Sequence, residues 1–143
     1  MADLNIEIIT PYKVTFNGIA ESITIPGTMG SFQVLRNHAP LISTIDIGVI
    51  KIVVNKDKTL YFATAGGTVE VNKNKVIVLA NSFEAVESID LERAKKALER
   101  AKKRIEEKIP GTDLSRAEDA VKRATNRISV VQKYLPRDTT IRT

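Results

Sequence analysis

Residues Pro26 to Gly48 read PGTMGSFQVLRNHAPLISTIDIG, and this stretch decides how the first part of the chain folds. Its two glycines, Gly27 and Gly30, lie between a strand-like run that ends at Ile25 and a second apolar run. Glycine adopts backbone conformations that are closed to other residues, so the pair predicts a tight reversal between two strands. Further on, Pro40 favours an extended conformation for the residue before it. The stretch therefore indicates strands joined by short turns.

Short runs of alternating apolar and polar residues continue through residues 1–87. Ile50, Ile52 and Val54 form one such run, and residues 55–58, NKDK, predict the turn that follows it. A period of two is typical of a strand with one buried face. We expect about ten short antiparallel strands, arranged as a β-sandwich or a flattened barrel.

The period of the apolar residues changes at Asp90, whose carboxylate suits the N-cap of a helix. Steps of three and four then mark two helical seams, and Pro110-Gly111 predicts the end of the first helix. The second helix is expected to begin after Asp113 or after Ser115. The first seam contains Leu91, Ala94, Leu98, Ala101 and Ile105, and the second contains Leu114, Ala117, Val121, Ala124, Ile128, Val131 and Leu135.

Two helices with a short connection predict an antiparallel hairpin. We therefore expect a β-sandwich domain over residues 1–87, a two-helix hairpin over residues 88–136 and a disordered tail over residues 137–143. Alanines are frequent on the facing sides of the two helices, and small side chains bury little area per contact. The hairpin is therefore expected to be marginally stable on its own and prone to detach or reorganise.

The charge is unevenly divided along the chain. The net charge of the 143 residues is +5, with 27% charged residues and no cysteine. Residues 1–88 contain seven Lys or Arg and eight Asp or Glu, whereas residues 89–143 contain fifteen and nine. The second part, at +6, is thus expected to meet an acidic partner. No apolar run approaches the roughly 20 residues that span a bilayer, so we expect membrane association only through a partner.

No set of residues predicts catalysis or a metal site. His38 is the single histidine, so a histidine metal cluster is excluded. Gly66-Gly67 interrupts a strand-like run and predicts a bulge or a close approach of two backbones. A phosphate cradle at this pair is the weaker interpretation, because the Gly-Lys-Ser/Thr of a P-loop is missing. We expect a chain that is not an enzyme and binds no metal.

The ordered set of motifs resembles the epsilon subunit of F-type ATP synthases, over nearly the whole chain. The motifs are Gly27 with Gly30, the segment 37–41 (NHAPL), Gly48, Gly66-Gly67, the strand 76–80 and the two helices. The resemblance implies a β-sandwich followed by a regulatory hairpin. Ser31, Gln33 and Thr68 depart from the residues usual in the family.

The resemblance also implies a function. The protein would be a rotor component of the central stalk of a proton-translocating ATP synthase, with the gamma subunit, the c-subunit ring and the alpha and beta subunits as partners. It would couple the c ring to the catalytic head and inhibit ATP hydrolysis through its helices. Its implied location is peripheral, on the cytoplasmic face of the cell membrane, with the plastid thylakoid as an alternative.

Three groups of site residues follow from the resemblance. Residues 89–94, IDLERA, fit the pattern Ile/Leu-Asp-x-x-Arg-Ala with which some bacterial members bind ATP. No cofactor is required, but regulatory ATP would contact Glu84, Ile89, Asp90, Arg93, Ala94, Arg123 and Arg127. The c ring would contact Met29, Gly30, Ser31 and His38. The beta subunit would contact Arg116, Lys122 and Arg123.

Arginines form one line on each predicted helix, beside the apolar seam. The lines are Arg93, Arg100 and Arg104, and Arg116, Arg123 and Arg127. They are either a solvated rim or a surface that binds phosphate or carboxylate groups. Two rival functions remain, a nucleic-acid-binding module and a stand-alone nucleotide sensor. Few aromatic residues (5%) and charges that alternate in sign along the helices speak against nucleic acid.

Overall fold

The computed structural model of the protein describes residues 3–135, which divide between Ala85 and Val86 into two compact units. The first, the sandwich unit, consists of strands, and the second, the helical unit, consists of helices. The tail predicted over residues 137–143 lies outside the described residues. The strands are β1 (Leu4–Ile9), β2 (Val14–Ala20), β3 (Ser22–Gly27), β4 (Gly30–Leu35), β5 (Leu41–Asn55), β6 (Lys58–Asn72), β7 (Lys75–Ala80) and β8 (Phe83–Ala85).

The strands form one hydrogen-bonded sheet in the order β2-β1-β7-β6-β5-β3-β4, with β8 paired to β6. Strands β5 and β6 have 15 residues each and pair with each other along their length. The first half of β6 also pairs with β8 and the second half with β7, so the sheet folds over into two layers. The predicted β-sandwich followed by helices is confirmed.

The number and direction of the strands differ from the prediction. Residues 3–135 contain eight strands rather than about ten. The alternation of apolar and polar residues suggests two short strands in each of the regions where β5 and β6 are single long strands. Strands β1 and β7 run parallel, in a register that pairs Ile6 with Val76, whereas every other pair is antiparallel. A parallel pair needs a long connection, and here most of the sandwich unit provides it.

The core lies between the two layers, where the alternating residues of the strands meet. Isoleucines and valines dominate it, and burial of each such side chain stabilises the fold by about 1.5–3 kcal/mol. Phe62 of β6 stacks on Phe83 of β8 with ring centroids 4.1 Å apart. It also meets Phe16 of β2 edge-on at 6.0 Å, which joins the outer strand of one layer to the other layer. The largest fully buried side chains are Leu4, Ile6, Ile8, Ile23, Ile25, Ile50, Ile52, Val34, Val69, Val71, Val76 and Val78.

In each glycine pair, one glycine lies so close to another part of the backbone that a side chain would not fit. Gly27 faces Gly30 across the β3–β4 turn, and a Cβ at Gly27 would lie 2.8 Å from the carbonyl oxygen of Gly30. Gly67 has a φ of 149°, and a Cβ there would collide with the carbonyl oxygen of Leu79 in β7. The predicted tight reversal and the predicted close approach of two backbones are thus confirmed.

The helical unit begins with a 3-10 turn (Val86–Ser88) and contains α1 (Leu91–Glu106) and α2 (Leu114–Tyr134). Carboxylates cap both helices: Asp90 accepts from the backbone N–H of Arg93 at 3.1 Å, and Asp113 accepts from that of Arg116 at 3.2 Å. The helices pack against each other, but Leu114 and Leu135 at the two ends of the second predicted seam are exposed. Their buried residues are Ala94, Ala101, Ala117, Ala124, Val130 and Val131, of which only Val130 lies outside the predicted seams.

The first helix ends earlier than predicted. It stops at Glu106, ahead of Pro110-Gly111, because Lys108 turns into the left-handed region with a φ of 49°. The N–H of Lys108 then donates to the carbonyl of Ile105, and the N–H of Ile109 donates to that of Arg104. This is the Schellman arrangement, formed here around a lysine instead of the usual glycine. Pro110-Gly111 belongs to the connection and does not end the helix.

Candidate functional site

The segment predicted to bind ATP forms the start of α1. Asp90 is exposed but its Oδ1 is engaged in the helix cap. Ile89 and Ala94 are buried, with 8% and 0% of their surfaces exposed, whereas Arg93 is exposed. Of the four residues in this segment that were predicted to contact ATP, only Asp90 and Arg93 are exposed.

The other predicted nucleotide contacts lie on different elements. Arg123 and Arg127 are one turn apart on α2, Arg123 exposed and Arg127 half-buried. Glu84 is half-buried in β8 and pairs with Ala63 of β6, so it belongs to the sandwich unit. Within the helical unit, the arginines of α2 are the residues that could hold phosphates.

A groove opens between the helices at their loop end. It encloses about 630 Å³, and both helices and the connection line it. Four of its lining residues are alanines, and a side chain that ends at Cβ leaves space between two packed helices. The lining residues are Ala97, Arg100, Ala101, Arg104, Ile109, Pro110, Gly111, Thr112, Asp113, Arg116, Ala117, Ala120 and Arg123.

Four arginines give this groove its charge. Arg100 and Arg104 come from α1, and Arg116 and Arg123 come from α2. The single carboxylate in the lining is Asp113, which is engaged in the cap of α2. Arginine recognises phosphate and carboxylate groups with two parallel N–H donors. The four arginines are therefore residues that could hold an anion.

The residues predicted to contact the beta subunit are exposed on α2. Arg116 and Arg123 line the groove, whereas Lys122 lies outside it. Arg100 and Arg104 were predicted to lie on a line of arginines, with no site assigned to them. They line the same groove as Arg116 because of the way the two helices pair. The alanines on both helices were the feature of the sequence that could have indicated this pairing.

The residues predicted to contact the c ring occupy two places in the sandwich unit. Met29 is 98% exposed at the tip of the β3–β4 turn, and Gly30 and Ser31 are exposed beside it. His38 follows the other end of β4, a strand of six residues, so the structure does not bring it next to the turn. The Nδ1–H of His38 donates to the carbonyl of Ala39 at 2.6 Å. The ring thus stabilises its own loop.

Within residues 3–135, no cluster of three or more His, Asp or Glu side chains is arranged to hold a metal ion. In the same part of the chain, neither α1 nor α2 is long and apolar enough to cross a membrane.

Both units match known families. Residues 3–86 match the family described as ATP synthase, delta/epsilon chain, β-sandwich domain. Residues 87–132 match the family described as ATP synthase, delta/epsilon chain, long α-helix domain. Together these matches account for nearly all of the described residues.

Individual relatives agree with the families. The ATP synthase epsilon chain of Carboxydothermus hydrogenoformans is 44% identical over 111 residues, which cover 77% of this chain and 82% of the relative. The chloroplastic ATP synthase epsilon chain of Tetradesmus obliquus is 46% identical over 103 residues, or 72% and 75% of the two chains.

The fold is also found in solved structures. A chain in the mitochondrial ATP synthase of Euglena gracilis, determined as OSCP/F1/c-ring, aligns with a TM-score of 0.77 at 20% identity. The alignment covers 92% of this chain and 82% of that chain. The two relatives are named as ATP synthase epsilon chains and not as a catalytic subunit, which confirms the prediction of a non-catalytic protein. The chain belongs to the epsilon chain family of F-type ATP synthase and is a subunit of that complex.

Proposed function

We propose that this epsilon subunit is a rotor component of the central stalk, which couples the c-subunit ring to the catalytic head of a proton-translocating ATP synthase. The sandwich unit binds the gamma subunit and rests on the c ring. The protein reaches the membrane only through the complex, at the cytoplasmic face. Support comes from the fold likeness to chains in assemblies described as OSCP/F1/c-ring and as central stalk/c-ring.

The helical unit, in this proposal, inhibits ATP hydrolysis by contacting acidic segments of the beta subunits. The observation that carries it is the exposed basic rim of α2, formed by Arg116, Lys122 and Arg123. Exposed charges of one sign attract a partner of the opposite sign and add little to the stability of their own fold. Residues 89–143 carry fifteen basic and nine acidic side chains, so the rim belongs to a unit with positive net charge.

Truncation at Ser88 tests the two roles together. The fragment 1–88 retains every strand of the sandwich unit and lacks both helices. Added to an ATP synthase from which the epsilon subunit has been removed, it is expected to bind the gamma subunit and to leave ATP hydrolysis faster than the whole chain does. A folded fragment that fails to bind gamma contradicts the stalk role. Equal hydrolysis with the fragment and the whole chain contradicts the inhibitory role.

Regulatory ATP is a second candidate ligand, favoured by the IDLERA segment at the start of α1. In this proposal ATP contacts Arg93 and Asp90 of α1 and the arginines 123 and 127 of α2. No cofactor is required for assembly. Nucleic acid is not proposed as a partner, because Tyr134 is the single aromatic residue among residues 86–135 and stacking on bases needs such side chains.

A further inference from the structure

Sulfur-bearing side chains are rare in this chain. It contains no cysteine and two methionines, Met1 and Met29, of which Met29 belongs to the residues that the structure describes. The side chain of Met29 is 98% exposed, the largest exposed fraction among the large apolar residues of that range. Methionine in a core fills irregular gaps, and this one has no such role. Its thioether is instead open to reagents in the solvent.

The turn that carries Met29 is held firmly at its base. Gly27 and Gly30 pair with each other at the ends of β3 and β4. The N–H of Thr28 donates to the carbonyl of Thr44 at 3.2 Å, and the hydroxyl oxygens of these two threonines lie 2.6 Å apart. A Cβ placed on Gly30 would have no atom within 4 Å apart from those of its chain neighbours. The tip therefore has a fixed backbone and open space around it.

We propose that Met29 is a site of reversible oxidation, at which a peroxide converts the thioether into a sulfoxide. A lone pair of the sulfur attacks one peroxide oxygen, and the O–O bond breaks as the S–O bond forms. The sulfur is oxidised and gains one oxygen atom, and with hydrogen peroxide the other oxygen leaves as water. The product is polar and chiral, and methionine sulfoxide reductases return it to the thioether.

The effect of this oxidation rests on the proposed function, in which the β3–β4 turn contacts the c ring. An apolar tip contributes to such a contact through the surface that it removes from water. Residues 26–35 contain no charged side chain, so the contact made by this turn depends on apolar and neutral polar groups. A sulfoxide retains its bound water and contributes less. Oxidation of the free subunit therefore weakens its contact with the ring until a reductase restores the thioether.

Peptide mass measurement on the whole chain tests the site itself. Trypsin cleaves after Lys13 and Arg36, so the peptide 14–36 contains Met29 and no other sulfur-bearing residue. During treatment with hydrogen peroxide this peptide is expected to gain one oxygen atom, at a rate within about threefold of the rate in urea, because the folded state does not cover the thioether. The melting temperature is expected to stay the same, since an exposed side chain contributes little to stability. A rate more than about tenfold slower in the folded chain than in urea overturns the site.

ATP-driven proton pumping tests the effect on the contact. The whole chain, untreated or oxidised, is added to an ATP synthase from which the epsilon subunit has been removed. Oxidation is expected to raise the concentration that gives half-maximal pumping by at least about threefold, because part of an apolar contact is lost. Treatment with methionine sulfoxide reductases of both epimer specificities is expected to reverse this rise.

The matched control is Met29→Leu, which keeps Met1 and an apolar tip but has no thioether at the turn. Peroxide is expected to leave the half-maximal concentration of this variant at its own untreated value. An equal rise in Met29→Leu overturns the proposal, because the damage would then lie elsewhere. So does a wild-type value that oxidation leaves unchanged. Untreated wild type that restores no pumping would overturn the proposed function instead, and the mass measurement would still decide whether Met29 is the oxidised site.

Discussion

Asn37 and Asn74 hold each other through two hydrogen bonds, although 37 residues separate them in the chain. The N–H of Asn37 donates to Oδ1 of Asn74 at 2.6 Å, and Nδ2 of Asn74 donates to Oδ1 of Asn37 at 3.3 Å. Both residues have left-handed backbones, with φ of 64° and 63°. The pair therefore joins the loop that carries His38 to the β6–β7 turn.

Substitution of Asn74 would separate the contribution of these bonds from that of the backbone. Asn74→Gly keeps the left-handed conformation accessible and is expected to lower the free energy of unfolding by about 1 kcal/mol, through the lost side-chain bonds. Asn74→Ala adds the strain of a Cβ in that conformation and is expected to cost about 1 kcal/mol more. Urea unfolding measures both. Equal stability of the glycine variant and the wild type would show that the side-chain bonds contribute nothing.

Gly67 is expected to be the least replaceable glycine of the sandwich unit. In Gly67→Ala the new methyl group meets the Leu79 carbonyl, so β6 or β7 must shift, at a cost of about 3–5 kcal/mol. Gly30→Ala is the control: its φ of 128° is also unfavourable, but no atom lies within 4 Å of the new Cβ. Thermal unfolding should rank Gly67→Ala well below Gly30→Ala. The reverse order would contradict the close backbone contact.

Crosslinking would test the proposed contact with the c ring at each of its two places. Cysteine introduced at Ser31, near the exposed Met29, is expected to form a disulfide with cysteines introduced in the polar loops of the c ring. Cysteine at His38 lies past the other end of β4 and is expected to crosslink less efficiently with the same loops. Crosslinks from both positions to peripheral-stalk subunits alone would contradict the proposed orientation of the sandwich unit.

Removal of the basic rim is expected to release hydrolysis. Arg116→Ala, Lys122→Ala and Arg123→Ala combined should raise ATP hydrolysis by the assembled complex several-fold, because the contacts with acidic partner groups are lost. Lys96→Ala with Lys102→Ala, on the other helix, removes two positive charges where the triple variant removes three, and serves as the control for lost charge outside the rim. Unchanged hydrolysis in the triple variant would remove the rim from the inhibitory contact.

ATP binding by the isolated protein can be distinguished from helix capping. If ATP binds, it should raise the free energy of unfolding of the wild type by about 2.7 kcal/mol at a hundredfold excess over Kd. The melting temperature should rise as a result. Arg93→Ala and Arg127→Ala should abolish that gain. Asp90→Ala removes the cap and should cost about 1 kcal/mol with or without ATP.

Lack of a thermal shift at millimolar ATP, together with no heat in calorimetry, would leave Asp90 with its capping role alone.

The sandwich and the hairpin could be predicted because their signals are local. The alternation of Ile50, Ile52 and Val54 fixes which face of β5 is buried, and Asp90 provides its own cap. The parallel pairing of β1 with β7 could not be predicted in this way. It joins Ile6 to Val76, and no local pattern specifies a partner 70 residues away.

The end of α1 and the groove could not be predicted either. Pro110-Gly111 is the expected signal for a helix end, but Lys108 takes the left-handed conformation first. The spacing of the arginines along the sequence predicts a line of them on each helix. Whether the two lines border the same groove depends on the register of α1 against α2. Arg104 and Arg116 become neighbours of one groove only when that register is known.

Strands β5 and β6 take part in both layers of the sandwich, and this has a consequence for cooperativity. Neither layer can lose its order while the other persists, because the same two strands would have to be folded at one end and unfolded at the other. Amide hydrogens in the middle of β5 and β6 are therefore expected to exchange only through global unfolding. The hairpin shares no such strand. Its amides can exchange by local opening, so the epsilon subunit combines a unit that behaves as a single block with one that can open in part.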